Sequence, residues 1–174
     1  MTTGIIALSF TKRAHEPGPV NRRLAHITDE VTHSLESTGE PAVVVAQSEI
    51  ARALLRKPDA VVTEDDATKR DRYGHLYLDS DDVLTEAFIR FRSADITDVI
   101  IVAQPFLHLQ LAQVMTKRAG FTVEYMSIPP VGFDTHADNL QWWTKGPLRF
   151  VAYLLIQAIG TVLRKNFHGI GERH

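Results

Sequence analysis

The sequence contains no cysteine. Disulfides, thiolate catalysis and cysteine-ligated zinc or iron–sulfur sites are therefore excluded. The sequence also lacks an excess of either charge, because 19 basic and 21 acidic residues give a formal net charge of -2. This balance argues against a nucleic-acid-binding protein that depends on a general positive field.

Targeting signals and nucleotide fingerprints are missing as well. The first ten residues have no positively charged segment followed by a long apolar core and a cleavage site, so we expect a cytoplasmic protein. Neither the glycine-rich dinucleotide fingerprint nor the P-loop pattern occurs. The apolar segment 150–163 is shorter than the roughly 20 residues that cross a bilayer. We therefore expect no membrane span, with a helix lying on a membrane surface as the less favoured interpretation.

The sequence does contain five short apolar runs, at residues 4–10, 42–46, 60–63, 99–103 and 121–125. Runs of this length, rich in β-branched residues and bounded by turn residues, are typical of strands buried on both faces. Amphipathic segments between them predict crossover helices. We therefore predict one α/β domain over residues 1–174. The expected fold is a Rossmann-like three-layer sandwich with a mostly parallel five-stranded sheet.

The central unit of this prediction is the run 99–103 and the helix after it. Pro105 suits the first turn of a helix, and Gly120 suits its end. Gln104 and His108 should then lie at the carboxyl end of a central strand, where such sheets bind ligands. His108 is our candidate catalytic residue, because imidazole titrates near neutrality. The alternative is that its side chain only hydrogen-bonds a neighbouring loop.

The loops after the first two strands supply further candidate ligand-binding residues. Ser9 ends the first strand, and Lys12 and Arg13 follow it as candidate partners of an anionic group. Gln47 and Ser48 follow the second strand, where they bind an anion or a hydroxyl group in one interpretation. In the other interpretation, Ser48 only caps a helix and the first loop is an ordinary polar surface.

Carboxylates are concentrated between residues 64 and 82. Glu64 and Asp79 are candidate ligand-binding residues, since paired carboxylates act as acid and base or hold a cation. A solvated charged face is the favoured alternative for this segment, and we assign no metal site. His26 and His33 are seven residues apart on one predicted helix, a spacing that indicates surface histidines rather than a metal pair.

Helix boundaries follow from capping residues. Asn21 should cap a helix that ends near Ser37, and a short helix should run from Glu49 to about Arg56. Asp79, Ser80 or Asp81 should cap a third helix, stabilised by an ion pair between Glu86 and Arg90. The last helix should run from Leu148 to about Lys165.

Three local patterns resemble a known family. The first is the strand Val99–Ala103 followed by Pro105-Phe106 and His108. The second is Asp79-Ser80 at the start of the preceding helix, and the third is the apolar region from Trp142 to Tyr153. Together with the order of elements, these patterns resemble the SanA/YdcF-like family of α/β proteins over nearly the whole chain.

The resemblance implies a Rossmann-like fold and a nucleotide-type ligand such as S-adenosylmethionine. It also implies a loose association with cell-envelope biology, and His108 is the residue that it carries over. We therefore expect a small-ligand-binding protein or an enzyme. The alternative is a non-catalytic interaction protein that uses its apolar last helix as a homodimer or partner surface, and a phosphoryl or methyl transferase rests on fold analogy alone.

Overall fold

The computed structural model describes residues 1–13, 15–70, 76–105 and 107–156. A five-stranded, all-parallel sheet lies at its centre. The strands are β1 (Thr3–Ala7), β2 (Ala42–Gln47), β3 (Ala60–Val62), β6 (Asp98–Val102) and β7 (Thr122–Glu124), and a small antiparallel pair consists of β4 (Lys69–Arg70) and β5 (Leu76–Tyr77). The sheet order is β3-β2-β1-β6-β7. The predicted α/β fold and all five predicted strands are confirmed.

Helices cover both faces of this sheet. They are α1 (Pro19–Ser37), α2 (Ser48–Ala51), α3 (Ser80–Ser93) and α4 (His108–Arg118), followed by α5, which is helical from residue 147 to the last described residue, 156. Two short 3-10 turns lie at Glu64–Asp66 and Trp142–Lys145. No helix in the described ranges is both long and apolar enough to cross a membrane.

The alternation of side chains along β1 divides the core into two halves. Ile6 and Leu8 pack with α3 and α4 on one face, whereas Ile5 and Ala7 pack with α1 on the other. Successive residues of a strand point to opposite faces, so a continuous apolar run supplies both halves at once. This accounts for the three layers.

The order of the strands places a crevice between β1 and β6. From β1 the chain moves outward through β2 to β3, and it then returns to pair β6 with the other side of β1. The loops after β1 and β6 therefore leave the sheet in opposite directions. Open α/β sheets bind ligands at this reversal point, outside the carboxyl ends of the strands.

Several predicted helix boundaries are wrong by a few residues. α1 begins at Pro19 with Gly18 at the cap position, so Asn21 is not the cap. α2 ends at Ala51 rather than near Arg56, and Ser48 is its first residue, with a side chain that donates to Glu49 instead of capping. A turn at 52–53 and the irregular stretch 54–57, in which only Leu54 packs on the core, replace the rest of the predicted helix.

The start of α4 also differs from the prediction. Pro105 does not lie in its first turn, because Leu107 has a φ of 65° and the helix begins only at His108. A positive φ cannot continue a right-handed helix, so α4 begins after Leu107 and not at Pro105. At the other end, Gly120 has a φ of 93°, which confirms its role in stopping this helix.

Other predictions of local structure are confirmed. Asp79 caps α3 by accepting a hydrogen bond from the Asp82 amide at 3.1 Å. Glu86 and Arg90 form their ion pair at 2.8 Å, and His26 and His33 are exposed on α1. The predicted end of the last helix near Lys165 lies outside the described residues.

Candidate functional site

The loop after β1 forms one wall of the crevice, and a buried asparagine of α1 fixes its path. Asn21 accepts hydrogen bonds from the amides of Phe10 at 3.0 Å and Thr11 at 3.4 Å, and it donates to the Thr11 carbonyl at 2.6 Å. Its side chain is fully buried. One amide side chain therefore satisfies three backbone groups that leave the sheet ladder at this point.

His108 lies opposite this loop, at the first position of α4, and it pairs with a serine of α3. Its Nε2 is 2.9 Å from the hydroxyl oxygen of Ser80, which is the first residue of α3. Its other ring nitrogen, Nδ1, is buried and has no hydrogen-bond partner among the described residues. The imidazole is thus anchored at one nitrogen and unsatisfied at the other.

Burial of this ring controls its charge. Burial lowers the pKa of His108 to about 4, so the imidazole is neutral at pH 7. A neutral imidazole has one N–H and one lone pair. Either Ser80 donates to Nε2 and a buried Nδ1–H is left unpaired, or Nε2–H donates to Ser80 and Nδ1 presents a buried lone pair.

Two features around His108 are typical of functional sites. The backbone of Leu107 is strained, since its positive φ is rare for a residue with a bulky side chain. The imidazole also faces the aromatic ring of Phe10 from the opposite loop, with ring centroids 6.0 Å apart. His108 is therefore held between the two strand ends that border the crevice.

The chain after β7 folds across this edge of the sheet. Gln104, which is almost fully buried, donates to the Val131 carbonyl at 3.4 Å. Phe133 and Phe150 pack against Phe10 with centroid separations of 5.6 and 5.2 Å. An aromatic cluster from three segments of the chain thus lies directly beside His108.

Ion pairs join the same loop to distant parts of the chain. Arg13 binds the buried Asp134 carboxylate with two hydrogen bonds of 2.7 and 2.6 Å, and Lys12 pairs with Glu64 at the surface. The bond to Asp134 raises the pKa of Arg13. Burial opposes ionisation of Asp134, but the bonds from Arg13 and from the His136 amide outweigh it and lower the pKa of this carboxyl group.

Comparison with protein-family models, curated proteins and solved structures gives no match. The resemblance to the SanA/YdcF-like family therefore stays a hypothesis. The function of this chain has to be argued from the residues of the site themselves.

The structure brings several of the predicted site residues together. Gln47 accepts a hydrogen bond from the Ser9 amide at 3.0 Å, which joins the ends of two neighbouring strands. Lys12 and Glu64 contact each other, and Asp79 immediately precedes the partner of His108. Ser9 with Gln47, and Lys12 with Glu64, are thus two contacting pairs among the predicted residues.

Ser48 is the exception among the predicted residues. It lines a shallow surface groove of about 380 Å³ between α2 and β3, together with Arg52, Arg56 and Lys57. None of the other predicted site residues lines this groove. The exposed Leu55 and the edge-strand residue Val61 also line it, so the groove does not lie between β1 and β6.

Four residues of the site are not among the sequence-predicted site residues. The sequence predicts Ser80 as a candidate helix cap and as part of the Asp79-Ser80 pattern of the family resemblance, but not as the partner of His108. It predicts Asn21 as a cap, and Thr11 and Asp134 have no signal in the sequence, since their roles depend on contacts between distant segments. In the described part of the chain, no three histidine or acidic side chains converge to hold a metal ion.

Proposed function

We propose that this protein binds a small molecule at the carboxyl edge of the sheet between β1 and β6, and that Ser80 and His108 form the polar centre of its site. The 2.9 Å contact between the Ser80 hydroxyl and His108 Nε2 is the observation that carries this proposal. It lies where the strand order reverses, which is the usual ligand position in sheets of this topology. The strained residue next to His108 adds support.

The geometry of the two side chains suggests a division of roles. Both side chains are partly exposed, but His108 Nδ1 is buried, so only the Ser80 side of the pair offers an open polar group. With a pKa of about 4, His108 is too weak a base to take the hydroxyl proton at pH 7, and its role is to hold the Ser80 hydroxyl in place through Nε2. Within the described residues no carboxylate orients Nδ1, so the pair differs from a Ser-His-acid triad and fits hydrogen bonding to a ligand rather than a fully developed nucleophile.

The class of ligand is also a proposal. The resemblance to the SanA/YdcF-like family favours a nucleotide-type ligand such as S-adenosylmethionine, and a cytoplasmic location agrees with the sequence. Phe10, next to the polar pair, is 5% exposed, and Phe150, which packs on it, is 6% exposed. These rings thus support the polar pair from behind as part of the core.

A thermal-shift screen tests this function. The full chain is screened against nucleotides, S-adenosylmethionine, sugar phosphates and divalent metals, since a ligand that binds only the folded state raises the melting temperature. We expect a hit whose dissociation constant rises at least about tenfold, or about 1.4 kcal/mol, in Ser80→Ala and His108→Ala. His33→Ala, which changes an exposed histidine of α1, is the matched control and should bind like the wild type.

The proposal is wrong if the ligand binds Ser80→Ala, His108→Ala and the wild type with the same affinity. A hit that is lost in all variants, including His33→Ala, would indicate general destabilisation rather than a site. Measuring each variant's unfolding in urea without ligand separates these cases.

A second candidate function rests on α5. This helix buries Phe150 against Phe10 but leaves Leu148, Leu155 and Ile156 between 57% and 85% exposed. A helix of a globular domain normally turns such residues inward. We therefore keep an interaction protein, with α5 as the surface between two copies of the chain, as the alternative to ligand binding.

A further inference from the structure

An anion from a distant part of the chain lies beside the first turn of α1. α1 has 19 residues, no acidic residue in its first turn and no side-chain cap, so its positive end is not neutralised locally. Instead, Asp134 lies there: its Oδ2 is 2.5 Å from the position that a Cβ atom on Gly18 would occupy. Only glycine at the cap position lets the carboxylate approach this closely.

Arg13 completes the surroundings of this anion. Its Nε and Nη2 bind the two oxygens of Asp134 in the side-by-side geometry that a guanidinium also uses for phosphate. The carboxylate is 2% exposed, and the arginine side chain 19%. The two groups thus form a largely buried ion pair beside the first turn of α1, and we call its surroundings the anion pocket.

One polar group in this pocket has no partner. Thr11 is 1% exposed, and its hydroxyl oxygen makes no hydrogen bond within the described residues. This oxygen lies 3.2 Å from the same Cβ position on Gly18, so it points at the first turn of α1. Buried hydroxyl groups are nearly always hydrogen-bonded, because an unpaired one is costly.

The planar shape of the carboxylate accounts for the mismatch. Among the described residues, Asp134 Oδ2 accepts only from Arg13 Nε, and Oδ1 accepts from Arg13 Nη2 and the His136 amide. Neither oxygen is placed to accept from Thr11. A phosphate group is tetrahedral, so it can bind the guanidinium through two oxygens and direct another, out of that plane, at the Thr11 hydroxyl. The surroundings therefore fit a phosphate group better than the carboxylate that fills them.

We propose that Arg13, Thr11 and the first turn of α1 form a binding site for the phosphate group of the ligand, and that Asp134 occupies this site until the ligand displaces it. This inference rests on the proposed function and narrows the ligand to a phosphate-bearing molecule. The segment that carries Asp134 competes with the ligand for this site. The segment is attached to the loop after β1, because its Leu140 amide donates to the Lys12 carbonyl at 2.9 Å. An internal competitor raises the apparent dissociation constant of the ligand. The apparent value is the intrinsic value divided by the fraction of molecules in which the site is free.

Removal of the competitor is the test. Inorganic phosphate is titrated into the full-length wild type, Asp134→Ala, and Asp134→Ala combined with Arg13→Gln, with sodium chloride added to keep the ionic strength constant. We expect Asp134→Ala to bind phosphate at least about tenfold more tightly than the wild type, measured by calorimetry and by the rise in melting temperature. The double variant should not respond, and Thr11→Val in the Asp134→Ala background should weaken binding.

Equal phosphate responses in Asp134→Ala and in the double variant would overturn the inference, and so would the absence of any response in Asp134→Ala. If Asp134→Ala does not fold, Asp134→Asn keeps the shape of the side chain and removes its charge. It should bind phosphate more tightly than the wild type, and Arg13→Gln should abolish that gain.

The same experiment separates this inference from the proposed function. His108→Ala in the Asp134→Ala background should leave phosphate binding unchanged, because the imidazole is not part of the anion pocket. A phosphate site that responds as expected, together with a ligand screen insensitive to Ser80→Ala and His108→Ala, would retain the anion site and reject the polar pair. The opposite result would retain the pair and reject the anion site.

Discussion

At the scale of single residues, the buried imidazole of His108 makes stability depend on pH. Its pKa is about 4 in the folded protein, against an ordinary value of 6.5 in the unfolded chain. Between these values the unfolded state binds more protons, so stability is complete above about pH 6.5 and falls as the pH decreases toward 4. We expect the wild type to lose about 2 kcal/mol of unfolding free energy between pH 7 and pH 5 through this group.

His108→Gln is the matched variant, since it removes the titrating ring. Urea unfolding at pH 7 and pH 5 measures both proteins. All other side chains are the same in both proteins, so the difference between the two measurements reports on the ring. An equal loss of stability in the wild type and in His108→Gln would show that the ring is not buried in the neutral form.

Asn21 supports a second prediction at this scale. Asn21→Ala leaves the buried amide of Phe10 and the carbonyl of Thr11 without partners, so we expect a loss of about 2–4 kcal/mol. His33→Ala on the exposed face of the same helix should change stability by less than about 0.5 kcal/mol. Urea unfolding measures both, and a loss below about 1 kcal/mol in Asn21→Ala would mean that water replaces the amide.

The sequence allowed only part of this residue-scale description to be predicted. His108 and Gln104 could be placed at the strand end, because a short apolar run followed by proline fixes where β6 stops. The partner of His108 could not be predicted, since Ser80 lies 28 residues away and at the start of a helix a serine is usually a cap. Asn21 shows the same ambiguity. Asparagine is a common helix cap, but Asn21 is buried within α1 and bonds to the backbone of Phe10 and Thr11.

At the scale of elements, α3 packs closely on β1 because Gly4 has no side chain at their contact. A Cβ atom at Gly4 would lie 2.7 Å from the ring of Phe91, which is fully buried. We expect Gly4→Ala to destabilise the protein by about 1–3 kcal/mol, because the ring cannot move within a packed core. Gly132→Ala is the control, since nothing lies within 4 Å of its Cβ position.

A double-mutant cycle tests the cause. Phe91→Leu removes ring atoms from the contact, so Gly4→Ala should cost less in that background than in the wild type. Thermal or urea unfolding of the four proteins gives the coupling energy. Additive losses would mean that Gly4 is needed for the backbone of β1 and not for the approach of α3.

Strands were easier to predict than helix ends. A run of β-branched residues buried on both faces has few alternatives, and all five runs became strands. The helix ends depend on single backbone angles, such as the positive φ of Leu107 that delays α4 by a turn. The prediction that α2 continues to Arg56 also fails, because only Leu54 of the stretch 54–57 packs on the core and the other three residues are exposed, which leaves little contact to hold a helix.

At the scale of the whole molecule, the order and parallel direction of the strands follow from the alternation of strands and helices along the sequence. The packing of the chain after β7 across the crevice does not follow from this alternation. Residues 125–146 have almost no regular structure, yet they carry Val131, Phe133 and Asp134 onto the loop after β1. Contacts of this kind depend on three-dimensional proximity, and no local periodicity indicates them.

The exposed face of α5 supports a prediction for the assembled molecule. Leu148, Val151 and Leu155 lie at helical spacing on a face opposite the buried Phe150, and the first and last of them are 85% and 60% exposed. If two copies of the chain associate through this face, burial of these side chains favours the dimer by removing apolar surface from water. Light scattering at micromolar concentration should then give about twice the 19.5 kDa of one chain.

Leu148→Glu combined with Leu155→Glu should return the mass to that of one chain, because two buried charges without partners oppose association. Leu55→Glu is the matched control, since this leucine is 90% exposed in the stretch after α2 and should not affect the mass. A wild type that scatters as a single chain over the whole concentration range would reject the contact. In that case the exposed face would have no role in pairing two copies, and ligand binding at the carboxyl edge would remain the function that the chain supports best.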